Sequence, residues 1–175
     1  AIHESDMLIV PDPQTAFVDP FMAGTLTMLC SVKDPVTHQR YPRDPRNIAR
    51  KAEMYMQSTG IADRATIAAA VDFFVFDGFR YEQNEHECYY HVDSLDGQWS
   101  RGTAQSFGQQ VQYRRGYQTM PPMDGFQDMR TGIMLALQEC GVDVASHHRE
   151  VASAGQGEVA LIPQDLLTMS DRLLR

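Results

Sequence analysis

The sequence contains few of the features that mark disulfide-rich, membrane-spanning or nucleic-acid-binding proteins. It has only three cysteines, Cys30, Cys88 and Cys140, and no CxxC pair. A disulfide framework is therefore not expected, and a reducing cytoplasm is the expected location. No apolar run is long enough to span a bilayer. The 15 basic residues are outnumbered by 23 acidic ones, and a net charge of -8 argues against a nucleic-acid partner.

The composition that is present indicates a folded globular chain. Hydrophobic residues make up 43% and charged residues 22% of the 175 residues, enough for one sizeable domain or a large piece of one. The first residues are too polar for a signal peptide. The chain starts without Met and stops after an amphipathic stretch, so both ends are expected to be cut from something larger. Removal of an initiator Met would also explain the start.

The pattern of apolar residues predicts helices interleaved irregularly with strands. Asp44 and Pro45 form a helix start, with a stop at Gly60, and a second helix is expected from Asp124 to a stop at Gly141. Residues 164–174 are amphipathic. Strands are expected at residues 25–32 and 142–146, and the end of the apolar run at residues 67–76, VDFFVF (residues 71–76), favours a central strand. Without regular βαβ alternation or a GxGxxG motif, the class is α+β or mixed α/β rather than a Rossmann sheet.

Residues 80–112 form a long polar stretch that reads as an excursion with one hairpin near residues 89–92. A loop of that length inside a compact domain is usually functional or partly disordered. Trp99, Tyr113 and Tyr117 are most simply interpreted as packing residues that anchor this stretch.

Glu150 and Glu158 are the clearest candidates for binding a cation. The residues between them are small and turn-prone, so the two carboxylates can converge on one hard ion such as Mg²⁺, which prefers oxygen ligands. The alternative interpretation is that both are surface charges on a hairpin, since carboxylates are common on exposed turns.

Asp72 is the lone charge in the apolar run VDFFVF. A buried, unpaired carboxylate is costly, so Asp72 needs a metal, another cation or a solvated strand face. Alternation places Asp72 on the same face of the strand as Phe74 and Phe76, so that face is not a purely polar, solvated one.

Two further kinds of site are not favoured by the sequence. His147 and His148 are neighbours, which point to opposite faces of a strand, and no HExxH or Cys/His pattern supports zinc. Ser153 and Cys140 have no recognisable nucleophile context, and Cys140 fits a helix core position.

Several ordered stretches of the chain resemble bacterial type I glutamine synthetase. They are IHESDMLIVPD near the start, YPRDPRNIARKAEMYMQSTGIAD, DFFVFD, GYQTMPPMDGFQDMR and HHREVASAGQGEV. The resemblance implies an α+β fold that is part of the family's catalytic domain, mainly antiparallel sheet with flanking helices. It assigns residues 1–175 to that domain. The family's N-terminal β-grasp domain and the C-terminal half of the catalytic domain are expected to be absent.

The resemblance implies an ATP-dependent glutamate–ammonia ligase of glutamine biosynthesis and nitrogen assimilation, which is a homo-oligomer in the family. ATP phosphorylates the γ-carboxylate of glutamate and ammonia displaces the phosphate, with two Mg²⁺ or Mn²⁺ ions holding the substrates. Asp72, Glu150 and Glu158 match the residues that hold the cation nearer glutamate. Tyr117 matches a tyrosine of the ammonium pocket, and His148 lies in the stretch beside the ATP phosphates.

The chain departs from the family pattern mainly on the nucleotide side. A glutamate for the ATP-side cation is replaced by Ala70, another near the nucleotide by Ala145, and the aromatic that stacks on adenine by Pro163. The third His of HHHE is Arg149, and Asp72 stands for a glutamate. Binding of the glutamate-side cation is therefore expected more than binding of ATP.

Three functional hypotheses follow from these residues. The first is a ligase segment that is inactive alone and needs the rest of the site from elsewhere. The second is a non-catalytic binding or assembly module of the same fold, favoured by the Ala68-Ala69-Ala70 replacement. The third is a relative that acts on another amine or acid.

Overall fold

The computed structural model describes residues 6–97, 99, 111–152 and 154–175, which form two compact units. The first unit contains the chain up to Ala69 together with Ala136–Asp143 and Leu161–Arg175. The second contains Ala70–Leu135 and Val144–Ala160. Within the described residues, no helix is long and apolar enough to cross a membrane.

The first unit begins with two antiparallel strand pairs. Strand β1 (Leu8–Pro11) pairs with β4 (Cys30–Lys33), and β2 (Phe17–Val18) pairs with β3 (Leu26–Thr27). The single strand expected at residues 25–32 is thus divided in two. The reason lies at Leu29, whose N–H donates to Thr15 Oγ1 and whose carbonyl accepts from Asp12 N, so neither group joins a ladder.

Helix α1 (Pro45–Ser58) starts where the sequence predicts. The Asp44 side chain accepts a hydrogen bond from Arg46 N at 3.2 Å, and Gly60 follows the helix with a φ of 69° that glycine adopts without strain. Helix α3 (Leu166–Leu173) is capped by Asp165 and packs against α1. Met169 and Ala49 are among the buried apolar side chains of this unit.

Helix α2 (Gln127–Glu139) begins three residues later than the expected start at Asp124. The Asp124 carboxylate instead forms a buried ion pair with Arg130 and also accepts from Phe126 N. The predicted stop at Gly141 is confirmed, with a φ of 74°.

The second unit contains a three-stranded sheet in the order β5–β9–β8, formed by β5 (Ala70–Phe74), β9 (Gln156–Leu161) and β8 (Val144–Arg149). Strands β5 and β9 are antiparallel, and their register places Asp72 opposite Glu158. The strand favoured at residues 71–76 begins one residue earlier and ends two residues earlier, and in the described sheet it lies at an edge rather than at the centre. The strand expected at 142–146 is displaced towards His148.

The polar stretch after residue 80 opens with a hairpin of β6 (Gly78–Gln83) and β7 (Cys88–Asp93). The expected hairpin is present, but residues 89–92 lie within β7 rather than at its turn. Residue 98 and residues 100–110 of the predicted excursion lie outside the described residues. The three helices and the antiparallel pairs confirm the α+β class with mainly antiparallel sheet.

Candidate metal centre

Strands β8 and β9 and the loop between them bring three potential metal ligands together. His148 lies on β8, Glu150 directly follows β8, and Glu158 lies on β9. One ligand atom from each lies within 4.8 Å of the others. The three side chains are largely buried, so a bound ion would be only partly exposed to water.

The atoms of this group suit a divalent cation. His148 Nε2 lies 3.6 Å from a Glu158 oxygen, and His148 Nδ1 lies 4.0 Å from a Glu150 oxygen. Nδ1 is also 3.0 Å from the Arg149 carbonyl oxygen, to which it can only donate. In a neutral ring Nε2 then keeps its lone pair and faces Glu158, so carboxylates and an imidazole nitrogen converge without a donor between them. That set fits Mn²⁺ well and Mg²⁺ through its oxygens.

Hydrogen bonds fix the glutamate that follows β8. A Glu150 side-chain oxygen accepts from Val151 N at 2.6 Å, and Glu150 N donates to the Gln156 carbonyl at 2.9 Å. The second bond closes the turn between the two glutamates. The carboxylates of Glu150 and Glu158 therefore lie close together at the end of the β8–β9 pair, and their role as cation ligands stays a prediction.

Asp72 lies beside this group but is not within the 4.8 Å set. It faces Glu158 across the β5–β9 pair, and directly opposed residues point to the same face of a sheet. Its carboxylate accepts a 3.3 Å hydrogen bond from Gln156 Nε2 and is exposed. The structure thus brings Glu150 and Glu158 together with His148, and places Asp72 next to them on an exposed edge strand.

Tyr117 contacts the metal-ligand group through His148. The two rings meet edge to face at 81°, with their centroids 5.3 Å apart. Tyr117 is 57% exposed, Tyr113 63% and Trp99 53%, so none of the three rings is buried, and their role as anchors of the long stretch stays a prediction. An exposed Tyr117 ring beside His148 leaves room for a ligand.

His147 is not a member of the group of candidate metal ligands. It lines a cavity of about 280 Å³ with His148, Arg130 and Asp124 among others. Burial lowers the pKa of His147, and the positive charge of Arg130 lowers it further. No hydrogen-bond partner of its buried Nδ1 occurs among the described residues.

The positions expected to serve the nucleotide carry no polar side chain. Ala70 lies on β5, Ala145 on β8, and Pro163 after β9. In the part of the chain that the structure describes, one group of three potential ligands is found. Of the two rejected nucleophiles, Cys140 is buried as expected for a core residue, and Ser153 lies outside the described residues.

Comparison with models of known protein families identifies the family of this chain. The model of the glutamine synthetase catalytic domain matches residues 42–175. The chain belongs to the glutamine synthetase family. The model of the family's β-grasp domain matches residues 1–35, which departs from the expectation that residues 1–175 are all catalytic domain.

Glutamine synthetases from bacteria are similar along the whole chain. The enzyme of Frankia alni is 43% identical over 99% of this chain and 38% of its own length. That of Streptomyces coelicolor is 45% identical over 99% of this chain and 37% of its own length. The chain thus spans less than two-fifths of the curated glutamine synthetases it matches.

A solved structure supports the same assignment. The glutamine synthetase of Plasmodium falciparum, determined by cryo-electron microscopy, superposes with a TM-score of 0.83 at 27% identity. The match covers 99% of this chain and 35% of that chain. The expected family and fold class are confirmed.

Sequence reasoning missed the residues that support the candidate ligands. Gln156 hydrogen-bonds Asp72, and Asp96 pairs with the buried Arg149. One signal for the Asp96 contact was present in the sequence. Arg149 replaces the family's third His, and a buried arginine requires a partner.

Proposed function

We propose that this glutamine synthetase chain carries the glutamate-side cation site of an ATP-dependent glutamate–ammonia ligase. Glu150 and Glu158 would hold Mg²⁺ or Mn²⁺, with Asp72 as a third carboxylate. The convergence of Glu150, Glu158 and His148 within 4.8 Å is the observation that carries this proposal. A cation held there would neutralise charge on the glutamate carboxylate and orient it.

The remaining site residues receive roles from their positions around that group. Tyr117 would line the ammonium pocket, since its exposed ring lies against His148. His148 would face the phosphates of ATP from beside the carboxylates. For the complete protein we propose glutamate, ammonium and ATP as ligands, assembly into a homo-oligomer, and a cytoplasmic location.

The 175-residue chain by itself is proposed to bind the cation without ligase activity. It spans about 38% of its relatives' length, and Ala70, Ala145 and Pro163 supply no polar group for a nucleotide. The Ala68-Ala69-Ala70 stretch also favours the second candidate, a non-catalytic module of the same fold that retains one cation site.

Titration of the chain with Mn²⁺, followed by calorimetry and electron paramagnetic resonance, tests the cation site. Glu150→Gln and Glu158→Gln should each weaken binding by at least about tenfold because each removes one charged ligand. Glu85→Gln, on the exposed turn of the β6–β7 hairpin, is the matched control and should leave binding unchanged. Equal affinities for all three variants would reject the site.

An assay of phosphate release separates the two candidate functions. A ligase segment should support ATP-, Mg²⁺- and glutamate-dependent phosphate release with ammonium when it is mixed with a longer family member that has been inactivated at its own cation site and so releases no phosphate by itself. A non-catalytic module should not, even when saturated with Mn²⁺. Phosphate release by the isolated chain would contradict the proposal that it is insufficient alone.

A further inference from the structure

Arg149, the last residue of β8, is a fully buried cation directly before Glu150. Its side chain is 0% exposed, and it pairs with Asp96, whose side chain is 9% exposed. Removing one member of such a pair leaves an uncompensated charge in a poorly solvated place. The pair therefore restrains the backbone at Arg149 and at Asp96.

Asp96 also holds the loop that joins the two candidate metal ligands. The carboxylate oxygen that accepts from Arg149 Nη2 accepts from Gly155 N at 2.8 Å. Gly155 has a φ of 69°, and a Cβ there would lie 2.6 Å from the Val75 carbonyl oxygen. Its own carbonyl accepts from Val75 N at 3.1 Å, so Gly155 is fixed from two sides.

The same arginine supports the segment that carries Tyr117. A Cβ on Gly116 would lie 2.3 Å from Arg149 Nη1 and 2.8 Å from the Glu150 carbonyl oxygen, so only glycine fits over the guanidinium. Gln118 N donates to the Arg149 carbonyl oxygen at 2.9 Å. Residues 116–118 are thereby held against the end of β8.

We propose that Asp96 is a positioning residue that sets the separation of Glu150 and Glu158 by binding Arg149 and Gly155 through one oxygen. The inference rests on the proposed cation site and deepens it. Among the described residues of the turn, the hydrogen bonds from Glu150 N to Gln156 O, from Val151 N to Glu150 Oε2 and from Ala152 N to Gln156 Oε1 do not reach Gly155. Asp96 is the contact that ties the β8 end of the loop to the residue before β9.

The pairing also accounts for the departure from the family pattern at this position. The stretch that resembles HHHE reads His147-His148-Arg149-Glu150 here. Arg149 reaches the Asp96 carboxylate through Nη2, while its buried Nε and Nη1 have no hydrogen-bond partner among the described residues, so Asp96 is the carboxylate on which the buried charge depends. The loop geometry of this chain is thus set by an ion pair.

Asp96→Asn in the full 175-residue chain tests the proposal, because it keeps the side-chain size but removes the charge opposite Arg149. Without metal, the Gly155 amide should exchange with solvent at least about tenfold faster, as measured by NMR hydrogen exchange. Mn²⁺ affinity should fall by about tenfold, in line with loss of a supporting residue at a metal site. Asp96→Glu, which keeps the charge, should recover part of both.

Asp124→Asn is the matched control for loss of stability, since it breaks the buried Asp124–Arg130 pair without touching Gly155. Compared at conditions of equal folded population, it should leave Gly155 exchange and Mn²⁺ affinity within about twofold. If Asp124→Asn reproduced both effects, Asp96 would be only a stability residue and the proposal would be wrong.

Two further outcomes are distinguishable. Unchanged Gly155 exchange in Asp96→Asn would overturn the positioning role, whatever the metal does. If the unmodified chain bound no Mn²⁺, the proposed cation site would fail, and Gly155 exchange alone would still decide whether Asp96 holds the loop.

Should Asp96→Asn not fold, Arg149→Lys is the second variant. It retains the charge and should raise Gly155 exchange by a smaller factor; unchanged Gly155 exchange in Arg149→Lys would contradict the proposal.

Discussion

Asp72 lies next to the candidate cation site but outside the group of side chains that forms it. It faces Glu158 across the β5–β9 pair, yet no ligand atom of Asp72 joins the group formed by His148, Glu150 and Glu158. The related family pattern has a glutamate at this position, whose longer side chain reaches further from the strand. Gln156 holds the shorter carboxylate by a 3.3 Å hydrogen bond.

Asp72→Glu is therefore expected to tighten Mn²⁺ binding, by roughly three- to tenfold, because the longer side chain brings this third carboxylate closer to the ion. Calorimetric titration at constant ionic strength measures the change. Asp128→Glu, which adds the same methylene on the exposed face of α2, should have no effect. Weaker binding by Asp72→Glu would show that Asp72 belongs to the sheet surface and not to the site.

At the scale of elements, one arginine ties β1, β4, α1 and α3 together. Arg46 in α1 makes two 2.8 Å bonds to Asp171 in α3, a 2.7 Å bond to Asp12 after β1, and a 3.0 Å bond to Ser31 in β4. Arg46 and Asp171 are buried. These charge-assisted bonds within the first unit fix four elements whose apolar core is small.

The Asp12–Arg46 contact predicts a pH dependence with a definite sign. The hydrogen bond from Arg46 holds the pKa of Asp12 below its usual value of 3.8. The folded chain therefore binds fewer protons than the unfolded chain, so this stabilisation is complete above pH 3.8 and is lost as the pH falls through the folded pKa.

Asp12→Asn should accordingly lower the urea midpoint of the first unit at pH 7, with a shrinking difference from the unmodified chain as the pH falls below about 4. Hydrogen exchange in α1 reports unfolding of this unit specifically. Asp63→Asn is the exposed control. A difference that stayed constant down to pH 3 would contradict the pairing.

At the scale of the whole molecule, the chain exposes large aromatic side chains on one hairpin. Phe79 is 57% exposed, Tyr81 72% and Tyr90 74%, all on the two-stranded β6–β7 hairpin. Tyr81 and Tyr90 are register partners and so share a face. Both hairpin strands also have unpaired edges within the described sheets, and open edges promote pairing between copies.

The chain should therefore self-associate as its concentration rises, which sedimentation velocity measures. Tyr90→Lys places a charge on the aromatic face and should weaken association by about tenfold. Gln83→Lys adds the same charge to β6 without removing an aromatic ring, and should have a smaller effect. Concentration-independent sedimentation of the unmodified chain would show that this hairpin does not drive association.

The sequence predicted those features that depend on a few adjacent residues. Asp44-Pro45 predicted the start of α1, Gly141 the end of α2, and the small residues between Glu150 and Glu158 their convergence. Caps and tight turns are encoded locally, because the groups that satisfy the backbone are close in sequence. The ordered motifs likewise predicted the family that the comparisons show.

Contacts between distant residues were decided only by the tertiary structure. The division of residues 25–32 into β3 and β4 depends on Thr15, and the burial of Arg149 depends on Asp96, 53 residues earlier. No local sequence pattern predicts which carboxylate pairs with a buried arginine. The sequence by itself determined the family and the helix boundaries near their caps, and it pointed to the acidic residues of the candidate site. The fold decided their geometry, because hydrogen bonds and ion pairs form wherever the backbone brings their partners within reach.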